Sequence, residues 1–224
     1  MILLAIDTAA NLCAACVHDG QRELGRSVRD IGKGHAEQLM DVIAEALEAG
    51  GMDYSGLDAI AVSVGPGSFT GIRVGVATAR GLALALQIPA IGVTTLEALA
   101  SEARANGANG TIMSAIDAGR DGLYVAVYDA SGTAINPPAI LDMAAARAMV
   151  STVATICGSA AERIAGEPAL GRKVAQPKGA TADIAAYALL AIRQGISGKR
   201  PSPLYLRAPD AKPQAHSILS RSGG

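Results

Sequence analysis

The sequence predicts an α/β protein of two similarly built lobes, and three observations carry that prediction. Asp58 to Leu86 reads as an apolar strand, the loop Gly65-Pro66-Gly67-Ser68-Phe69-Thr70-Gly71 and a helix with almost no polar face. Ala5-Ile6-Asp7-Thr8 is echoed by Ala115-Ile116-Asp117-Ala118, each closing a strand with an aspartate and opening a meander. Asn106-Gly107-Ala108-Asn109-Gly110 marks a break by composition, after which the pattern restarts. The expected division is residues 1–105 and 110–208, followed by a polar, frayed tail over 209–224.

In order, the first strand is Ile2 to Asp7. Cys13 to His18 and Glu23 to Arg29 alternate as two more strands joined at Asp19-Gly20. Gly32-Lys33-Gly34 ends that meander, and Glu37 to Glu48 then carries Leu39, Met40, Ile43 and Leu47 at helical spacing, with Glu37, Asp41, Glu45 and Glu48 opposite. Gly50-Gly51 stops this helix. Leu57 to Val64 is a buried strand, Ser68 or Thr70 can cap the helix Ile72 to Leu86, and Ala90 to Val93 is a short strand. Thr94 or Thr95 caps a helix through Arg104. In the second half, strands are expected at Ile112–Ile116, Leu123–Tyr128 and Val153–Cys157. Helices are expected near Leu141–Met149, after Gly158-Ser159-Ala160, and from Asp183 to about Arg193 with Thr181 as cap. Ser202 to Arg207 is held extended by its prolines.

The helix Ile72 to Leu86 carries charge only at Arg73 and Arg80. Gly71, Gly75 and Ala79 fall four apart, as do Ala77, Gly81 and Ala85, and such a ridge lets a second backbone come close. A chain of 224 residues has limited interior in which to hide a helix apolar all round, so this helix is expected to be an association surface. The competing reading is a central helix sandwiched inside one domain. The glycine loop is no Walker loop, because no Gly-Lys-Ser/Thr follows, and its glycines miss the dinucleotide spacing. A helix start after a glycine turn still offers amides to an anion.

Composition excludes other classes. Half of the residues are hydrophobic but only 3% are aromatic, net charge is −1, and no basic block is present, which argues against self-sufficient nucleic-acid binding. The opening run is too short for a membrane span and lacks a basic leader, so the expected place is a reducing cytosol with no membrane attachment. Cys13 and Cys16, three apart in a strand, belong on opposite faces, against a redox or zinc pair.

Five segments occur in one order: Ala5-Ile6-Asp7-Thr8-Ala9, His35-Ala36-Glu37, Gly65 to Arg73, Ala115-Ile116-Asp117-Ala118, and Pro203-Leu204-Tyr205-Leu206-Arg207. Together they resemble the TsaB (YeaZ) family across nearly the whole chain. The resemblance implies the actin, Hsp70 and sugar-kinase (ASKHA) fold, with mixed sheets flanked by helices in two lobes. It implies a role in making threonylcarbamoyladenosine beside the tRNA anticodon, as the subunit that pairs with and activates a TsaD-type transferase and also pairs with itself. A TsaE-type ATPase would join the complex, and tRNA would be met only through the complex. The TsaD-type pattern has two histidines four apart where this chain has Thr95 and Leu99, and His18, His35 and His216 have no ligand-like spacing, so no catalytic residue and no metal are expected.

The interface expected from this reading comprises Thr70, Gly71, Arg73, Val74, Gly75, Thr78, Ala79 and Leu82, with His35 and Leu39 on the neighbouring helix. Arg73 and Arg80 would pair with carboxylates at its rim. Nucleotide-contact candidates are Asp7, Thr8, Asp117, Gly119 and Gly158. No cofactor is expected to bind tightly, and ATP or ADP would enter in the assembled complex. A plainer role for Asp7 and Asp117 is to cap their own hairpin turns. His35 and Glu37 read as capping and dipole residues of a helix start. The rival function is an ATP-dependent kinase or hydrolase using Asp7 to orient a metal.

Overall fold

The structure, a computed structural model, describes residues 1–119, 122–166, 173–196 and 200–206. Arg207, His216 and the expected tail over 209–224 lie outside the described residues. The first sheet is built from β1 (Leu3–Asp7), β2 (Leu12–His18), β3 (Glu23–Asp30), β4 (Ala59–Ser63) and β5 (Ala90–Val93), in the order β3-β2-β1-β4-β5. The second contains β6 (Ile112–Asp117), β7 (Leu123–Tyr128), β8 (Ala134–Leu141), β9 (Thr155–Cys157) and β10 (Lys173–Val174), in the order β10-β9-β6-β7-β8. In each, the first three strands are antiparallel neighbours and the last two join in parallel. The two sheets therefore repeat one topology, with β6 standing where β1 stands, and form the two-lobed α/β fold with mixed sheets flanked by helices.

The sequence echo is out of phase with that repeat. Side chains alternate across a strand. Leu3 and Ala5 face the core between the sheets, and Asp7 follows them, whereas in β6 it is Ile112 and Ile116 that face this core. Met113 and Ala115 face the opposite side, and Asp117 goes with them. The letters Ala-Ile-Asp match, but a shift of one residue puts the two aspartates on different faces.

Helices follow the same order. α1 (His35–Ala49) and α2 (Phe69–Leu86) cover the outer face of the first sheet, closing a core of Leu4, Ile6, Ile43, Ile60, Val62 and Val76 among others. α4 (Met143–Met149) and α5 (Ala161–Ala165) cover the outer face of the second. α3 (Thr95–Ala105) packs on the second sheet and α6 (Ile184–Gln194) on the first, and the two helices touch, so they form the layer between the sheets. Asp183 fixes α6: it caps Ala185, and its carboxylate accepts two hydrogen bonds from Arg26 of β3 at 2.8 and 2.7 Å. Such two-pronged pairing sets an angle as well as a distance.

Several boundaries differ from the sequence reading. Ser68 is the cap, so α2 starts at Phe69, not Ile72. Thr181 does not cap α6; Asp183 does. Leu141 belongs to β8, and α4 starts after Asp142. Both β8 and β10 escaped the sequence reading. β8 carries Pro137 and Pro138, which remove two ladder donors and are tolerated because β8 is an edge strand paired through irregular register. β10 is two residues long, too short for any period.

Candidate functional site

The glycine loop is filled by the protein's own chain. A Cβ on Gly67 would collide with the carbonyl oxygen of Ala9, and one on Gly71 with that of Thr8. The Ser68 amide donates to Ala9 O at 2.7 Å, the Thr8 hydroxyl donates to Gly71 O at 2.7 Å, and the Gly71 amide donates to Ser68 Oγ at 3.2 Å. These glycines let the β1–β2 turn press against the start of α2. Amides that an anion would need at Ser68 and Gly71 are already paired.

Asp7 is buried, because α6 covers the face of β1 on which it stands. Its Oδ1 accepts the Ala9 amide at 2.9 Å, the turn-capping role. Its Oδ2 has no hydrogen-bond partner among the described residues, and neither do Ser63 Oγ, Thr95 Oγ1 and Tyr187 OH, all on buried residues. Burial pushes the Asp7 carboxyl above the usual carboxylate range, and the nearby Ser63 hydroxyl, Ala9 amide, Thr181 hydroxyl and His35 pull it down by less. Thr8 is buried and committed to Gly71. Asp117 is exposed instead: Oδ1 accepts the Gly119 amide at 2.8 Å and Oδ2 pairs with Arg163 at 2.5 Å. Gly158 has φ +93°, where a Cβ would collide with Ala115 O, and its amide donates to Pro177 O at 2.7 Å. Asp7, Thr8, Asp117 and Gly158 thus each serve the fold.

A carboxyl whose pKa is raised by folding contributes most when protonated and loses that contribution as pH rises through its folded value. Asp7→Asn is therefore expected to raise the melting temperature at pH 7–8 by about 2–4 °C, ~1 kcal/mol at this chain length. The gain should vanish below about pH 4, where aspartate is protonated in either state. A lower melting temperature at pH 8, read by calorimetry, would show that the ionised carboxylate supports the fold.

α2 divides into two faces. Gly71, Gly75, Ala79 and Ala83 are buried, and a Cβ on Gly75 would lie 2.5 Å from Thr8 Oγ1 and 3.5 Å from Val62 Cγ2. That ridge, expected at an interface, is spent on the protein's own first sheet. The second ridge is free: Ala77, Gly81 and Ala85 are exposed, and nothing lies within 4 Å of a Cβ placed on Gly81. Thr70 and Arg73 are exposed beside it, Val74, Thr78 and Leu82 are half-buried along its flank, and Leu84 is 78% exposed. By length and composition α2 could cross a bilayer; in this fold a third of it is buried against the sheet.

On α1, His35 and Leu39 turn inward: Leu39 joins the core, and His35 Nε2 lies 3.2 Å from Leu12 O. Met40, expected inside, is 46% exposed, and Val42 takes the core position. Met40 is thus an exposed apolar side chain on α1, a helix that touches α2. Within the protomer the Arg73 guanidinium carbon is 5.2 Å from the ring centre of Phe69, and Phe69 stands 5.4 Å from Tyr205, both rings half in solvent. The Phe69–Tyr205 pair was missed in the sequence, although the signal existed: Phe69 is the chain's single phenylalanine and sits in the glycine loop. Leu204 pairs its amide with Val64 O at 2.8 Å, which brings Tyr205 there.

The cysteines are free and buried, with Cys16 toward the inter-sheet core and Cys13 toward the outer one. Burial pushes their thiols up to about 11 for Cys13 and about 12 for Cys16. Thiols so shifted are poor nucleophiles and poor ligands. Thr95 and Leu99 are wholly buried in the α3 layer.

Comparison with known proteins agrees with this architecture. The model of the family described as "TsaD: tRNA N6-adenosine threonylcarbamoyltransferase" matches residues 29–194. The tRNA threonylcarbamoyladenosine biosynthesis protein TsaB of Escherichia coli (strain K12) is 37% identical over 130 residues, 57% of this chain and 55% of that protein, so the match spans about half of that relative. An uncharacterized protein of Mycobacterium tuberculosis (strain ATCC 25618 / H37Rv) is 33% identical over 217 residues, 95% of each chain. The solved structure of YeaZ from Pseudomonas aeruginosa superposes with a TM-score of 0.67 at 28% identity, covering 92% of this chain and 99% of that one. The chain belongs to the threonylcarbamoyltransferase (TsaD) family as that model defines it, and within it to the TsaB (YeaZ) family.

Proposed function

We propose that this chain acts in tRNA threonylcarbamoyladenosine biosynthesis as a partner subunit without a catalytic centre of its own, docking on a TsaD-type transferase and activating it. One observation carries the reading: α2 leaves an apolar outer face uncovered, with the Ala77–Gly81–Ala85 ridge at its centre, Leu84 at one end and the Phe69–Tyr205–Arg73 stack at the other. Small residues at the middle allow backbones to approach, and aromatic and arginine anchors at an end are the residue types that carry interface energy. Burial of such a face supplies about 25 cal/mol per Å2 before the costs of association are subtracted. A second copy of this chain would compete for the same face, so self-pairing is the expected outcome where the transferase is absent.

The inactive reading draws support from Asp7, whose carboxyl is walled in by α6, and from Thr95 and Leu99, which occupy the expected histidine positions inside an apolar layer. ATP or ADP, a TsaE-type ATPase and tRNA would then be met by the assembled complex. The test mixes this chain with a TsaD homologue from the same cell, with and without ATP, in size-exclusion chromatography and calorimetry. A stoichiometric complex is expected. No complex under either condition, or ATP hydrolysis by the isolated chain that Asp7→Asn removes, would overturn the proposal in favour of the kinase or hydrolase reading.

A further inference from the structure

Asp7 sits where four elements meet. Its Oδ2, Ser63 Oγ at the end of β4, Thr95 Oγ1 at the start of α3 and Tyr187 OH on α6 are shut off from water, and none has a hydrogen-bond partner among the described residues. They lie together: the Ser63 and Thr181 hydroxyls act on Asp7, while Asp7 and the Thr95 hydroxyl act on Tyr187. Among the described residues no lysine or arginine pairs with Asp7. The ionisable groups that face it are His35 of α1, Cys13 of β2 and Tyr187 of α6; β4 brings the Ser63 hydroxyl, and α3 brings Thr95, with Glu102 felt by Tyr187. An enclosed carboxylate with an oxygen unpaired is costly, whereas the neutral acid brings a proton of its own to donate to a hydroxyl.

Water reaches this acid only if one of its walls moves, and the walls are not equally fixed. β1, β2 and β4 are laddered in one sheet, and the Thr95 amide at the start of α3 donates to Gly65 O at 2.8 Å. α6 makes no backbone-to-backbone hydrogen bond with another element among the described residues. Its polar ties use side chains near its two ends: Asp183 accepts from Arg26, the Asp183 amide donates to Glu102 Oε2 at 2.6 Å, and Gln194 donates to Glu97 Oε1 at 3.1 Å. Solvent-facing ties of this kind contribute little and re-form readily. We infer that α6 is a clasp over Asp7, shut while Asp7 carries its proton, and that ionisation of this carboxyl lifts the helix from the first sheet without unfolding the rest. Proton release and opening are one event, because Asp7 Oδ2 meets solvent only in the open form. Opening uncovers Asp7 and Ser63 at the carboxyl ends of two paired parallel strands.

The test follows backbone amide exchange of the 15N-labelled full chain from about pH 5 to about pH 8, each rate divided by its intrinsic rate, beside a 13C titration of the Asp7 carboxyl in the same protein. A group that ionises more easily in the open form makes the opening equilibrium rise with pH, by up to about tenfold per unit, until the pH at which the closed form titrates. The α6 amides are therefore expected to lose protection as pH rises and to level off where the Asp7 carbon titrates. They should stay less protected throughout than the amides of β4, as a part that opens alone does. In Asp7→Asn the slope should fall to the remainder contributed by Glu97 and Glu102 on α3, whose carboxyls burial also raises. The 13C titration keeps the test decisive should that variant fail to fold. An Asp7 carboxyl that titrates at or below the ordinary aspartate value, α6 protection that ignores pH or equals that of β4, or an unchanged slope in Asp7→Asn would overturn the inference.

Discussion

Gly75→Leu is expected to cost the isolated protein about 3 kcal/mol or more, the upper range for overpacking of a tight site. At this chain length that is a fall in melting temperature of roughly 6–12 °C. The spacing of Gly71, Gly75 and Ala79 by itself suggests the opposite, a variant that folds and merely fails to pair. The structure reverses the sign. A Cβ at Gly75 would already lie 2.5 Å from Thr8 Oγ1, and that hydroxyl holds Gly71 O at 2.7 Å. The three further carbons of leucine have no room between α2 and β4, where Val62 Cγ2 stands 3.5 Å away. Either α2 lifts from the sheet, exposing Ile72, Val76 and Ala79, or Thr8 swings out and breaks the clamp on the glycine loop. Both outcomes destabilise. Denaturant unfolding of the variant measures the effect, and an unchanged midpoint would mean that the helix does not lie this close to β1 and β4.

Gly81→Leu should do the reverse, leaving the protomer intact and abolishing association. No atom lies within 4 Å of a Cβ placed there, and replacing a glycine inside a helix recovers up to about 1 kcal/mol of helix propensity. The protomer should therefore melt no lower than the parent. A partner seated on the Ala77–Gly81–Ala85 ridge would instead meet a four-carbon obstacle where backbones approach. Loss of about 2 kcal/mol or more, some thirtyfold in affinity, is expected for the TsaD-type partner and for self-association alike. Calorimetric titration and sedimentation read this directly. Undiminished affinity would place the contact on another surface. The two glycines, six residues apart in one helix, thus separate the helix's inner duty from its outer one.

The contrast also shows how far the sequence could be read. Two ridges of small residues were visible, but periodicity gives no origin: it says that residues share a face, not which face meets the sheet. Thr8 decides, and Thr8 reaches α2 only after β1 and β4 have paired. Strands of alternating or wholly apolar pattern, such as Cys13–His18 and Ala59–Ser63, were legible because burial imposes their pattern directly. β8 was not, because an edge strand can carry prolines that an interior strand would reject. The glycine loop was recognised as a tight turn, and its use was not, since a glycine that makes room for a ligand and one that makes room for Ala9 look alike in one dimension. Asp7 raised the same ambiguity. Only the cover supplied by Thr181 and Tyr187, distant in sequence, makes it a buried carboxyl.

That cover sets a schedule for biosynthesis. β1 is made well before α6, yet the inner side of that strand rests on α6 and the core that α6 closes. The nascent amino-terminal half must wait with Leu3 and Ala5 bare, a state in which chaperones bind and aggregation competes.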